Sequence, residues 1–191
     1  MKIAVYGSAS REISQETREK ARNLGREIAA RNNSLITGAC PGLPYEAVEA
    51  AAENIRLGAP KAVGIIGYSP ATNTDEHTQK FNFPVNGFTK LIFLPEEYKR
   101  REKGVCLKLR NIFSVEACDA AVFIAGRMGS LNEFTLAYDM GRNIGMLTKT
   151  GGFADMAKGL VDALGKPTSS KIIYEQDPVK LVRRLEELSA S

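Results

Sequence analysis

The stretch DAAVFIAGRMGSLNEF, residues 119–134, decides how this sequence is read. Its first half, DAAVFIAG (119–126), is a short apolar run ending in glycine, which suits a strand buried on both faces. The residues that follow, SLNEFTLAYDMG (130–141), read as a helix. Between them Gly126-Arg127-Met128-Gly129-Ser130 has to turn the chain. Glycines there permit backbone conformations in which successive N–H groups converge on one anion. The first-turn N–H groups of a helix also lack partners within it and carry the positive end of its macrodipole. So read, the corner is a phosphate seat, with the Ser130 hydroxyl as an extra donor and Glu133 one turn further on. The same letters support a structural alternative. Ser130-Leu131-Asn132-Glu133 fits S-x-x-E, the capping box, in which the glutamate bonds back to the N-cap N–H and contributes about 1 kcal/mol to stability.

Outward from this corner, strand and helix alternate. KIAVYG (2–7) is a strand, and the segment after it places Ala21, Leu24 and Ile28 on one helical face. SLITG (34–38) is followed by the loop GACPGLP and the alanine-rich helix YEAVEAAAENIRLG, which Gly58 stops. KAVGIIG (61–67) is a third strand, then comes a polar loop (68–87) and a fourth strand, TKLIFLP (89–95). Glu96, Glu97 and Tyr98 begin a helix or turn beside it. Residues 104–117 carry Val105, Leu109, Ile112, Phe113 and Ala117 on one helical face. IGMLT and KIIY are strands six and seven, separated by a helix from about Phe153 to Leu164. Asp177-Pro178 reads as an N-cap followed by proline in the first turn of the last helix.

This alternation predicts an α/β, Rossmann-like, doubly wound sheet of six to seven mainly parallel strands with helices on both faces. With 191 residues and no linker or repeat, a single domain over 1–191 is expected. Such sheets bind ligands at the carboxyl ends of their strands. Three strand ends carry small or glycine-rich loops: GSAS with Gly7 and Ser8, GACPG with Gly38 and Gly42, and GRMGS with Gly126, Arg127, Gly129 and Ser130. These are the candidate phosphate-binding residues.

Composition narrows the classes. No apolar run approaches the ~20 residues that span a bilayer, and MKIAVYGSAS reads as a strand rather than a signal peptide. The three cysteines, Cys40, Cys106 and Cys118, form no C-x-x-C, and there is one histidine, His77. Neither a disulfide frame nor a zinc site is expected, no metal is called for, and the cytoplasm is the expected compartment. The net charge of +4 is mild and mixed with acidic residues. It suits an anionic small molecule, and without an aromatic stacking platform no nucleic-acid partner is expected. His77, in the polar loop, is expected to face solvent, and Cys40 to fill space or line the pocket.

The run LRNIFSVEACDAAVFIAGRMGSLNEF (109–134) resembles the signature region of the Lonely Guy family and its lysine-decarboxylase-like relatives. Those proteins carry an arginine, a strand beginning Asp-Ala, then Pro-Gly-Gly-x-Gly-Thr-x-x-Glu. Arg110, Asp119-Ala120, Gly126, Gly129 and Glu133 fall on that pattern, while Ala125, Arg127 and Ser130 depart from it, as do Ala39 and Cys40 in the earlier loop. The resemblance implies hydrolysis of the N-glycosidic bond of an AMP-like nucleoside 5′-monophosphate, giving base and ribose 5-phosphate. It assigns Glu133 and Arg110 to catalysis, requires no cofactor, and implies a homodimer. The alternative within the same superfamily is a nucleotide or molybdenum-cofactor carrier that binds without turnover. The decarboxylase label itself finds no support, since no lysine sits in a recognisable Schiff-base setting.

Overall fold

Period-two burial shapes the centre of the molecule. Ile3 and Val5 on one strand pack into a different core from Ala4 and Tyr6 on the same strand, because successive strand residues face opposite sides of a sheet. The computed structural model describes residues 1–10, 12–58 and 64–190. In it β1 (Lys2–Gly7), β2 (Ser34–Thr37), β3 (Ile65–Tyr68), β4 (Lys90–Ile92), β5 (Ala120–Ile124), β6 (Asn143–Leu147) and β7 (Ile172–Glu175) form one parallel sheet in the order β4-β3-β2-β1-β5-β6-β7. Of the predicted third strand, residues 61–63 lie outside the described residues.

The helices divide between the faces. Residues of α1 (Gln15–Ala30), α2 (Leu43–Arg56) and α6 (Pro178–Ala190) pack with Ile3, Val5, Leu35 and Val122. Residues of α3 (Lys103–Glu116), α4 (Met128–Asp139) and α5 (Gly152–Leu164) pack with Ala4, Tyr6, Ile36 and Phe123. Ser14 caps α1 by accepting from Thr17 N–H, and Asp177 caps α6 through Val179 N–H at 2.8 Å, as its place before Pro178 suggests. No helix of the described residues is long and apolar enough to cross a membrane.

From β1 the chain winds outward to β4 and then returns to lay β5 beside β1 on its other side, with Gly7 registered against Ile124. The carboxyl ends of β1 and β5 therefore border the crevice where strand order reverses.

Two sequence expectations are corrected on the β4 side. His77 is fully buried rather than solvent-facing. It sits in a π-helical turn (Glu76–Lys80) against Phe83 and Phe93. Its Nε2–H donates to the Pro84 carbonyl at 2.9 Å, so Nδ1 accepts from the Ser69 hydroxyl at 2.8 Å; burial lowers its pKa and keeps the ring neutral. The polar letters of loop 68–87 thus conceal a packed aromatic cluster built from Phe81, Phe83 and Phe93. On α3, Val105 and Ile112 are exposed, and the helix buries Cys106, Arg110, Asn111, Ser114 and Val115 instead. Of these polar groups Arg110 borders a cavity, while Asn111 donates to Asn132 Oδ1 at 2.9 Å and Ser114 accepts from the Tyr6 hydroxyl at 3.0 Å.

Candidate functional site

Arg110 is held by geometry as much as by charge. Its Nη1 donates to the Gly38 carbonyl at 2.5 Å. That approach exists only because residue 38 is glycine: a Cβ there would stand 1.3 Å from Nη1. The side chain is 6 % exposed, and among the described residues its Nε–H has no acceptor. A buried donor without a partner is uncommon and costs free energy until something accepts from it.

Glu133 lies on α4, also 6 % exposed. Among the described residues its carboxylate takes part in no hydrogen bond and no ion pair within 4 Å. Burial pushes its pKa up to about 7, against the opposing pull of Arg110 and Lys108. The capping-box alternative is therefore corrected. The helix begins at Met128, with Arg127 as an N-cap that makes no side-chain cap bond. Ser130 is then the third helical residue and Glu133 stands clear of the terminus. The left-handed φ of +92° at Gly126 turns the chain so that the N-cap falls at Arg127, three residues before the Ser130 that the S-x-x-E spacing implies.

Arg110 and Glu133 line one cavity of about 280 Å3. Gly7 and Ser8 reach it from the end of β1, Gly38 and Cys40 from the end of β2, and Arg127, Gly129 and Ser130 from the corner between β5 and α4. Arg127 is exposed, and Gly129 opens onto free space, with nothing within 4 Å of where a Cβ would stand. The amides of the first turn of α4 are thus next to a vacant volume flanked by cationic side chains. Gly42 and Gly126 do not line the cavity. Gly42, with φ of +95°, comes so close to the first loop that a Cβ would be 2.4 Å from the Ser8 carbonyl oxygen. Gly126 carries Ser130 against itself and accepts from Phe153 N–H at 2.9 Å. Both hold the loops that form the walls.

Sequence reasoning missed Tyr6, Phe83 and Leu107 as lining residues. The signal for Tyr6 was available, since it precedes Gly7 and alternates with Val5; Phe83 arrives through the folded loop and had none. The Tyr6 hydroxyl donates to Ser114 Oγ at 3.0 Å. Cys40 lines the cavity, but burial raises its pKa, so it stays a thiol and is a poor nucleophile. No cluster of three metal-ligating side chains occurs among the described residues.

The Glu133 carboxyl has a measurable consequence. Its folded pKa of about 7 lies above its ordinary value of 4.5. The protonated form therefore stabilises the fold fully below pH 4.5, and that stability is lost as pH rises through 7, on the order of 3 kcal/mol in all. Denaturant titrations at pH 5 and pH 8 should show the drop, and the Glu133→Gln variant should not.

A parallel Rossmann-like sheet with a cavity at its switch point places the chain in the class of open α/β folds that take ligands at the carboxyl ends of their strands. The SLOG cluster4 family model matches residues 1–182, and the chain belongs to that family. This accords with the resemblance to the Lonely Guy superfamily. No curated protein matches the sequence. Among solved structures, the X-ray structure of TM1055, a structural genomics target, superposes with a TM-score of 0.77 at 19% identity, covering 97% of this chain and 98% of that one. The molybdenum cofactor carrier protein of Chlamydomonas reinhardtii gives 0.69 at 18% identity, covering 100% and 99%. DNA processing protein A of Helicobacter pylori, described with a single-stranded DNA binding mode, gives 0.62 at 18% identity, covering 100% of this chain and 80% of that one. At these identities the likeness is one of fold.

Proposed function

We propose that the chain is a single nucleotide-binding domain that hydrolyses the N-glycosidic bond of a nucleoside 5′-monophosphate of the AMP type. One observation carries this reading: an unpaired, buried carboxyl and a locked arginine face the same anion-ready cavity. The phosphate would sit on the first-turn amides of α4, with Gly129, Ser130 and Arg127 around it. As the bond from the anomeric carbon to the base breaks, positive charge develops on the sugar, and the Glu133 carboxylate stabilises it. Water adds its oxygen to the anomeric carbon and gives one proton to Glu133, which returns it to the departing base nitrogen, while the other proton stays on the new anomeric hydroxyl. Arg110 presents donors to a ribose or phosphate oxygen. Chromatographic release of adenine from AMP by the purified protein tests this reading, and intact AMP after hours with full protein overturns it.

A carrier role is the second reading. Arg127 adds a cation at the mouth of the cavity that tightens binding without aiding bond cleavage, and one neighbour of the same fold is described as a molybdenum cofactor carrier. Calorimetric binding of AMP without turnover selects it. A nucleic-acid ligand, named for another neighbour, would instead show a steep salt dependence of affinity. In keeping with the hydrolase reading we place the protein in the cytoplasm, where its three free cysteines stay reduced, and as a homodimer that covers the exposed Val105 and Ile112 of α3.

A further inference from the structure

We propose that His77 is an acid-sensitive latch on the cavity wall: protonation of its ring frees the segment that carries Phe83, and the bound anion is discharged. The inference concerns the regulation of the site and rests on the anion-seat reading above. Phe83 lines the anion cavity, yet it sits on residues 82–88, outside any strand or helix. Among the described residues, both hydrogen bonds that tie this segment to the rest of the chain run to His77. The His77 carbonyl accepts from Phe83 N–H at 3.1 Å, and the ring Nε2–H donates to the Pro84 carbonyl at 2.9 Å. The two rings also meet edge to face, with 5.6 Å between centroids. One residue therefore grips Phe83 by its backbone, by its ring and through the next carbonyl.

The grip holds in one protonation state. With the proton on Nε2, Nδ1 is a bare acceptor and takes the Ser69 hydroxyl proton at 2.8 Å. A second proton turns Nδ1 into a donor. Ser69 Oγ already accepts from Ala71 N–H at 3.0 Å, so it would have to accept twice and strand its own proton. The new cation would lie fully buried beside Phe83 and Phe93, where desolvation penalises charge. No carboxylate of the described residues stands within 4 Å of the ring to neutralise it. Glu76, on the same turn, is engaged by Thr72 and Lys80, and Asp75 is exposed. Glu96, after β4, pairs with Lys99, and Glu116 lies exposed at the end of α3. Of the nearby cations, Lys80 and Lys103 lie over the Phe81 ring, and Arg110 is held at Gly38. The ring escapes the cost by turning out to water, and Phe83 and Pro84, tied to the chain through it, go with it. Burial sets the pKa of His77 below its ordinary 6.5, with no charged neighbour among the causes. The neutral ring therefore holds the wall fully above pH 6.5, and the hold is lost as pH falls beneath that value.

His77 is the chain's only histidine, and the chain has no tryptophan, so ring and wall can be followed separately. Nitrogen NMR reads the protonation of His77, and Phe83→Trp places a single indole in the wall. On acidification from about pH 7.5 to about pH 4.5, the indole emission should move to longer wavelength with the midpoint at which the ring gains its proton, while far-UV circular dichroism stays constant. In the unaltered chain the Overhauser contact between the rings of His77 and Phe83 should vanish at the same midpoint. Calorimetry with AMP is done in the Glu133→Gln background, which removes the other titrating group of the cavity. Affinity should fall up to about tenfold per pH unit below the midpoint, measured against His77→Gln, whose amide still donates to Pro84 but cannot titrate. That ratio cancels the protonation of the AMP phosphate itself. A ring that stays neutral throughout, an indole and a ring contact that persist while it titrates, or dichroism lost at the same midpoint overturns the latch. These readings keep the histidine in place, so they decide the matter whether or not His77→Gln folds. AMP affinity that follows the same pH course in both chains overturns the discharge. AMP that fails to bind at about pH 7.5 overturns the anion seat instead, and the latch is then decided by the ring and the indole.

Discussion

Glu133→Gln should lower AMP hydrolysis by on the order of a thousandfold while making the protein more resistant to denaturation at pH 8. The rate effect follows from removing the one carboxylate that lines the anion cavity among the described residues. A positioned general base contributes roughly 10²–10⁴ in rate, and the same charge is needed where the sugar becomes cationic. The stability effect has the opposite sign because the wild-type side chain is buried, without a bond to lose, and ionised at pH 8 only against the cost of desolvation. A glutamate that merely capped its helix would behave otherwise, since its removal would leave the rate unchanged and lower stability. Adenine release and a urea titration on the same preparation distinguish the two, and a variant with undiminished turnover removes Glu133 from the chemistry.

Gly38→Ala should abolish productive binding, by about a hundredfold in AMP affinity, with little loss of fold. The new methyl group would occupy the place of Arg110 Nη1, 1.3 Å from that atom. Nη1 is the far end of a long flexible side chain, so the arginine rather than the sheet gives way. Its bond to the Gly38 carbonyl and its place in the cavity wall are lost together, and a displaced guanidinium costs more than the bond alone because the ligand's partner is no longer in position. Calorimetry with AMP and a thermal melt suffice. Unchanged affinity would mean that Arg110 need not be where Gly38 holds it.

These expectations also show what the sequence could convey. The β5 to α4 corner was legible because a change of period, two glycines and a spaced glutamate coincide, and the alternation of elements gave the parallel sheet. Of the ten site residues named from letters alone, eight line the cavity, namely Gly7, Ser8, Gly38, Arg110, Arg127, Gly129, Ser130 and Glu133, and the other two, Gly42 and Gly126, hold its loops. What stayed hidden is long-range. That His77 lies inside depends on Phe83 and Phe93 meeting it, and Phe93 belongs to a segment beyond the loop. That α3 turns Arg110 and Asn111 inward contradicts its own apolar periodicity, because Arg110 lines a cavity and Asn111 finds its hydrogen-bond partner, Asn132, on α4. The capping box failed for a local reason: a left-handed glycine moved the helix start.

The neighbour relation between β1 and β5 has a bearing on how the chain matures. Residues 2–7 are made first, yet the partner that completes their inner edge, residues 120–124, is made only after four strands and three helices have appeared. At roughly 5–20 residues per second, a nascent chain spends seconds with its central strand half-paired and its crevice unbuilt. No metabolite can steady the early intermediates, and whatever help a bound molecule lends to biogenesis comes late, as a ratchet on the final closure.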